Sequence, residues 1–236
     1  MTFSAFCARC RKKVKKAERI IRYFDMFAGV GGFRAGLDLA GGFQCIGHCE
    51  IDKYADASYR AIHAPGKEEV YYPDARTIDP KELPDFDLLC GGFPCQAFSY
   101  AGKKLGFDDT RGTLFHEFAR CVREVQPEMF LAENVRGLVS HDKGRTLSTI
   151  IDVLESLGYH TDMQVLNAAY FGVGQKRERL VIVGIRNDCD ISFRFPEPEE
   201  RMTTLREALA DCPDSPGEEY SEKKRRVLEQ VPPGGC

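Results

Sequence analysis

Apolar and polar positions follow two periods along this 236-residue chain. Short, mostly apolar runs read as buried strands, and between them lie longer stretches with an apolar stripe at helical spacing. YFDMF (23–27) is the first strand, followed across a glycine turn by a helix over GGFRAGLDLA (31–40). FQCIGHC (43–49) is a second strand and DKYADASYRAIH (52–63) a second helix, with FDLLC (86–90) as a third strand. Beyond a glycine-rich loop, TLFHEFARCVREV (113–125) sets Leu114, Phe115, Phe118, Val122 and Val125 along one stripe. MFLA (129–132) is another buried strand, and RTLSTIIDVLESL (145–157) repeats the stripe with Leu147, Ile150, Ile151, Leu154 and Leu157. HTDMQVLN (160–167) and RLVIVGI (179–185) close the sheet.

Strands alternating with amphipathic helices predict a three-layer α/β domain with a mostly parallel sheet. Ligands of such sheets sit beyond the carboxyl ends of the strands, so the chemistry is expected just after them. The pattern divides the chain into a basic leader (1–21), a catalytic domain (22–187) and a linker (188–236). In the linker, PEPEERMTTLREAL holds one short helix capped by Thr203 or Thr204, and the polar remainder has no place in a core.

Composition narrows this picture. The chain is 43% hydrophobic and 29% charged, which is globular and argues against disorder. Its formal charge of -3 is less basic than a dedicated nucleic-acid binder, so any nucleic-acid field is local, in a cleft or on a partner. No stretch approaches the ~18 apolar residues of a membrane span, and the first residues lack a secretory pattern. Ten cysteines show no repeating spacing, and several lie in apolar runs. Buried thiols in a reducing, cytoplasmic setting are expected. Cys7 and Cys10 form one C-x-x-C without a second pair, so they read as free thiols and no metal is expected.

Four constellations carry candidate chemistry. In FDMFAGVGGF, Gly29 and Gly31 form a turn between strand and helix, where backbone amides are open to a cofactor. Arg34 replaces the third glycine of the dinucleotide fingerprint, which lowers a nicotinamide reading. Glu50 ends the second strand, either as an acceptor for ribose hydroxyls or as an N-cap of the next helix. Asp74 either meets an adenine amine or is a turn aspartate. In LLCGGFPCQAFSYAGK, Cys95 stands on a glycine-rich loop straight after a strand, with Pro94 fixing its approach. In AENVRGL, Glu133 ends a strand, as a functional acid or as the partner of an arginine. In GQKRERLVIVG, Arg177 and Arg179 enter a strand and are expected to share a face.

FAGVGG, E-x-D-K-Y, GFPCQ, ENV and QKRER, in that order over roughly residues 22–187, resemble the DNA cytosine-C5 methyltransferases. The resemblance implies a Rossmann-like S-adenosylmethionine-dependent methyltransferase fold. It implies that Phe27, Glu50, Asp74 and Leu114 hold the cofactor, with Gly29 and Gly31 in the turn and Pro94 among the cofactor residues. Ile51 stands where many relatives carry an aromatic over the adenine. Cys95 is the implied nucleophile, with Gln96 and Ser99 nearby, and Glu133, Arg177 and Arg179 hold the target cytosine.

The residue types suit the reaction. Thiolate addition at C6 of cytosine breaks aromaticity and drives C5 onto the methylsulfonium. A carboxyl that keeps its proton at neutral pH assists at N3, and Glu133 fits that part. The base must leave the duplex to reach the thiol. Double-stranded DNA is the expected partner, and protection in a restriction-modification system the expected role. RNA cytosine methylation and a non-catalytic methyltransferase-like subunit are the alternatives. In the family, a target-recognition region and a late cofactor motif follow, and neither is legible by Cys236. The expectation is therefore an incomplete chain or one subunit of a split enzyme. A second polypeptide would then supply recognition, and the chain alone would methylate slowly or not at all.

Overall fold

The computed structural model describes residues 19–94, 113–210 and 221–230. Cys95, Gln96 and Ser99, and Cys7 and Cys10 of the leader, lie outside the described residues. Seven strands form one sheet: β1 (Ile21–Met26), β2 (Phe43–Cys49), β3 (Val70–Tyr72), β4 (Leu88–Gly91), β5 (Met129–Val135), β6 (Tyr159–Asn167) and β7 (Glu178–Arg186). Their order is β3-β2-β1-β4-β5-β7-β6. The pairs from β3 to β5 are parallel, and β7 runs antiparallel to both β5 and β6. The order reverses between β1 and β4, which makes a crevice at their carboxyl ends, where open α/β sheets bind ligands.

Among the described residues six α-helices accompany the sheet: α1 (Gly32–Ala40), α2 (Lys53–His63), α3 (Leu114–Val125), α4 (Arg145–Ser156), α5 (Leu205–Ala208) and α6 (Glu222–Leu228). Caps set their starts. Asp52 accepts hydrogen bonds from the amides of Tyr54 and Ala55, and Thr113 accepts one from His116. Of the two threonines considered for α5, it is Thr204 that caps, in a reciprocal box with Glu207. The expected strands and helices are present with shifted ends. The three-residue strand β3 and helix α6 lie in stretches where the sequence pattern showed no element.

Alternation along the strands divides the core. On one face Phe24, Met26, Leu89, Phe130 and Ile182 pack with Phe118 and Val122 of α3 and Ile150 and Leu154 of α4. On the other, Tyr23, Cys45, Leu88 and Cys90 pack with Phe33 and Leu37 of α1. The first face is the tighter. A Cβ on Gly184 would stand 2.0 Å from the Phe130 ring, which also meets Phe118 edge-on at 5.9 Å and Tyr159 at 5.2 Å. Gly184→Ala is therefore expected to lower unfolding free energy by about 1–3 kcal/mol through overpacking. Urea unfolding measures this, and an unchanged midpoint would contradict the packing described.

Candidate active site

The sharp turn after β1 is built from left-handed backbone: Phe27 has φ 59°, Gly29 φ 57° and Gly31 φ 87°. A left-handed non-glycine residue is uncommon, and Phe27 is fixed there by packing half-buried on the core. Gly31 is required twice over, because a Cβ would stand 2.2 Å from the His63 ring. Gly31 is also the N-cap of α1 and gives it no side-chain cap, so the first-turn amides of that helix are left for a ligand.

Glu50 stands at the carboxyl end of the neighbouring strand and locks this turn. Its Oε2 accepts from the Gly29 amide at 2.7 Å and its Oε1 from the Asp52 amide at 2.8 Å. The N-cap of α2 is Asp52, so the alternative of Glu50 as a helix cap gives way to a bridge between two loops. Each carboxylate oxygen keeps a further lone pair for a hydroxyl donor. Ile51 projects into solvent, 66% exposed. Asp74 caps the short turn Ala75–Thr77 and pairs with Arg76 at 2.7 Å, contacts that hold its carboxyl below the usual range. It is thus a turn aspartate whose two carboxylate oxygens are both engaged by Arg76. Leu114 opens α3 directly after the cap Thr113, and Pro94 is exposed where β4 leads into the loop that carries Cys95.

On the other side of the crevice, three strands converge. Antiparallel pairing sets Val135 of β5 opposite Arg179 of β7, and Arg179 Nε meets Glu133 Oε1 at 2.6 Å. A Cβ on Gly92 would lie 3.2 Å from Glu133 Oε2, so the carboxylate faces the stretch that leads from β4 toward Pro94. Asn134, buried at 3% exposure, donates from Nδ2 to the Phe93 carbonyl at 2.8 Å and accepts the Val135 amide at 2.9 Å. Phe93 is itself clamped between the rings of Phe115 and Phe118. The peptide that enters Pro94 and Cys95 is therefore fixed to the strand that bears Glu133.

The two arginines do not behave as a pair on one strand face. β7 begins at Glu178, so Arg177 precedes it, exposed, with its amide donating to Asn167 Oδ1 at 3.2 Å. Arg179 alone meets Glu133. The contact that sequence reasoning missed is the one made by Asn134. Its signal was an amide side chain directly after Glu133 in a buried strand, where it needs a partner.

A doubly wound sheet with a glycine turn, an acid after the second strand and an acid–arginine pair facing the loop after β4 defines a Rossmann-like methyltransferase. The chain belongs to the C-5 cytosine-specific DNA methylase family, whose profile matches residues 21–233. Type II methyltransferase M.Eco47II of Escherichia coli is 42% identical over 240 residues, covering 94% of this chain and 55% of that protein. Type II methyltransferase M.HhaI of Haemophilus parahaemolyticus is 43% identical over 196 residues, 83% of this chain and 58% of that one. The chain thus spans between half and two thirds of these curated relatives. Among solved structures, a DNA modification methyltransferase encoded within an Escherichia coli prophage superposes with TM-score 0.64 at 25% identity, over 83% of this chain and 56% of that one. Spodoptera frugiperda DNMT2 superposes with TM-score 0.64 at 20% identity, over 90% and 66%, and attests the fold. Among the described residues, no helix is long and apolar enough to cross a membrane.

Proposed function

We propose that this protein transfers a methyl group from S-adenosylmethionine to C5 of cytosine in double-stranded DNA, through a covalent adduct on Cys95. The observation that carries the reading is the Glu133–Arg179 pair, set against Gly92 on the loop leading to Cys95 and opposite the Glu50-locked glycine turn. When bound, the cofactor supplies an electrophilic methyl group. The chain's residues fit it, because the uncapped start of α1 offers amides to a carboxylate and Glu50 offers acceptors to ribose hydroxyls. Cys95 adds to C6 of the flipped base, and the electron pair moves toward C5. Glu133 stands to hydrogen-bond N3, and Arg179 orients that acid while offering donors to the ring oxygen. After transfer, loss of the C5 proton and departure of the thiolate restore the aromatic ring.

The test is incorporation of a tritiated methyl group into duplex DNA and into tRNA. Because the chain covers 55% of one curated relative, the DNA arm is run with and without a second polypeptide carrying a target-recognition region. Label in 5-methylcytosine of DNA supports the reading. Label in tRNA alone would replace it with RNA methylation, and none in any arm would leave a non-catalytic subunit.

Glu50→Ala is expected to weaken S-adenosylmethionine binding about tenfold or more, since it removes both the ribose acceptors and the anchor of Gly29. Single-turnover chemistry at saturating cofactor should change much less. Calorimetric titration beside quench-flow kinetics separates the two, and unchanged affinity would remove Glu50 from the cofactor site.

A further inference from the structure

Beneath the glycine turn lies a buried polar layer that none of these roles uses. Strand pairing sets Tyr23 opposite Cys45, and Asp25 opposite both His48 of β2 and Cys90 of β4, all on the face toward α1 and α2. Arg34, in the first turn of α1, reaches into this layer. It donates to Tyr59 Oη at 3.2 Å and to the two oxygens of Glu69 at 2.5 and 3.0 Å, with Asp38 at 3.7 Å from its Nε. His48 stacks on Tyr59 at 3.9 Å and meets Asp56 at 2.8 Å. Asp25 is the acid at the centre of this layer. It is 0% exposed, and among the described residues neither of its carboxylate oxygens has a hydrogen-bond partner, as is also true of the Tyr23 hydroxyl. Burying such a group is costly, so a use for its charge is worth seeking.

The sheet supplies that use. Asp25 and Cys90 face each other one residue before the strand ends Met26 and Gly91, at the β1/β4 reversal. The glycine turn leaves β1, and the loop to Cys95 leaves β4. On the methyl-transfer reading, a donor held by the first and a base held by the second would meet near this junction, which would bring the reacting sulfur close to Asp25. When the methyl group moves to C5, the electrons of the carbon–sulfur bond stay on sulfur. A cationic sulfonium becomes a neutral thioether.

Resting on the methyl-transfer reading, we propose that Asp25 is a charge-selecting positioning residue, whose buried carboxylate favours the cationic donor over the neutral product and loses that preference on taking up a proton. Burial lifts the Asp25 carboxyl from 3.8 to about 7, with Arg34 pulling it down and Glu50 pushing it up. The tyrosines, thiols and other carboxyls that face it keep one charge state over the same range. Burial pushes the hydroxyls of Tyr23 and Tyr59 and the thiols of Cys45 and Cys90 upward, so they remain neutral. Burial also lowers His48, which leaves it uncharged above its ordinary range. Glu69 and Asp56, despite burial, are held low by Arg34 and by Arg60 with His48 respectively, and stay ionised.

The experiment is calorimetric titration of the chain with S-adenosylmethionine and with S-adenosylhomocysteine, at about pH 6 and about pH 8, either side of the Asp25 value. In the unsubstituted protein, the preference for the cationic ligand should grow about 5-fold between the two conditions. In Asp25→Asn it should keep its acid-side value, apart from titration of the ligands' own amines, which is common to both proteins. An Asp25 that only supports the fold would change both affinities by one factor and leave their ratio alone. Equal pH dependence of the ratio in the two proteins overturns the proposal. If neither ligand binds the unsubstituted chain, the methyl-transfer reading itself falls. Melting temperature gives a second readout. The folded carboxyl binds its proton more tightly than the unfolded one, so stability falls as pH rises from about 4 to about 7 and stays low above. Asp25→Asn should therefore gain in melting temperature over the parent at about pH 8, relative to about pH 5. A gain of equal size at both values would show that Asp25 is not ionised in the folded protein, and would overturn the proposal as well.

Discussion

Cys95→Ser is expected to lower methyl transfer by about 10³-fold or more while leaving S-adenosylmethionine affinity within about 2-fold. A serine hydroxyl is almost wholly protonated at neutral pH and is the weaker nucleophile, so addition at C6 becomes the barrier. The rest of the site is untouched by the change, because the approach to residue 95 is set by other groups. Asn134 holds the Phe93 carbonyl, and Phe93 is clamped by Phe115 and Phe118. The substitution therefore reads nucleophilicity rather than misplacement. DNA bearing 5-fluorocytosine at the target gives the complementary result. Fluorine cannot leave C5 as a proton does, so elimination stalls and the protein stays bonded to the base through Cys95. The other described thiols of the core are poor competitors. Burial pushes Cys45 up to about 11 and Cys49 and Cys121 up to about 12, and lifts Cys90 well above the ordinary thiol range. Peptide mapping that finds the adduct on another cysteine, or turnover near the parent rate in Cys95→Ser, would sink the mechanism.

Much of the fold was legible because both periods were clear. Leu147, Ile150 and Leu154 mark α4 by spacing alone, and it buries them together with Thr146 and Val153. What escaped is what partners decide. β3 holds two tyrosines between charged residues and Pro73, and its assignment as a strand rests on pairing with Gly47 to Cys49 of β2. β5 runs past MFLA to Val135 because β7 pairs with it as far as Arg179. α6 lacks an apolar stripe and carries instead the i,i+4 pair Glu222–Arg226 at 2.6 Å, a weak and local support. The site divides in the same way. Residue types at or next to strand ends named Glu50, Glu133 and Arg179, since the chemistry selects those types. The tie from Asn134 to Phe93 joins positions 41 apart, and the unpartnered state of Asp25 depends on the neighbouring strands and helices that bury it, so neither follows from spacing.

Glu133→Gln is expected to slow the chemical step by about 10²–10³-fold with little change in cofactor affinity. The position of the carboxyl carries this expectation. Glu133 lies on β5 beside the loop after β4, whereas Glu50, which binds the glycine turn, directly follows β2. Gln keeps the shape and a donor, so it still reaches N3 of the base and still packs beside Gly92. It gives up the carboxyl that can pass a proton to N3 as the thiolate adds, and with it the ion pair to Arg179 at 2.6 Å. Arg179→Lys tests the second loss alone. Lysine keeps a charge but lacks the planar fork that meets carboxylate and ring oxygen together, so a smaller fall, about tenfold, is expected. Effects on the double variant should be far from additive, because the two groups act as one unit. Single-turnover rates for both single variants and the double, with cofactor titrations alongside, decide the matter. A Glu133→Gln protein that weakens cofactor binding as much as Glu50→Ala does, or one whose single-turnover rate matches the parent, would place Glu133 outside the catalytic pair and leave Arg179 as a phosphate or backbone contact.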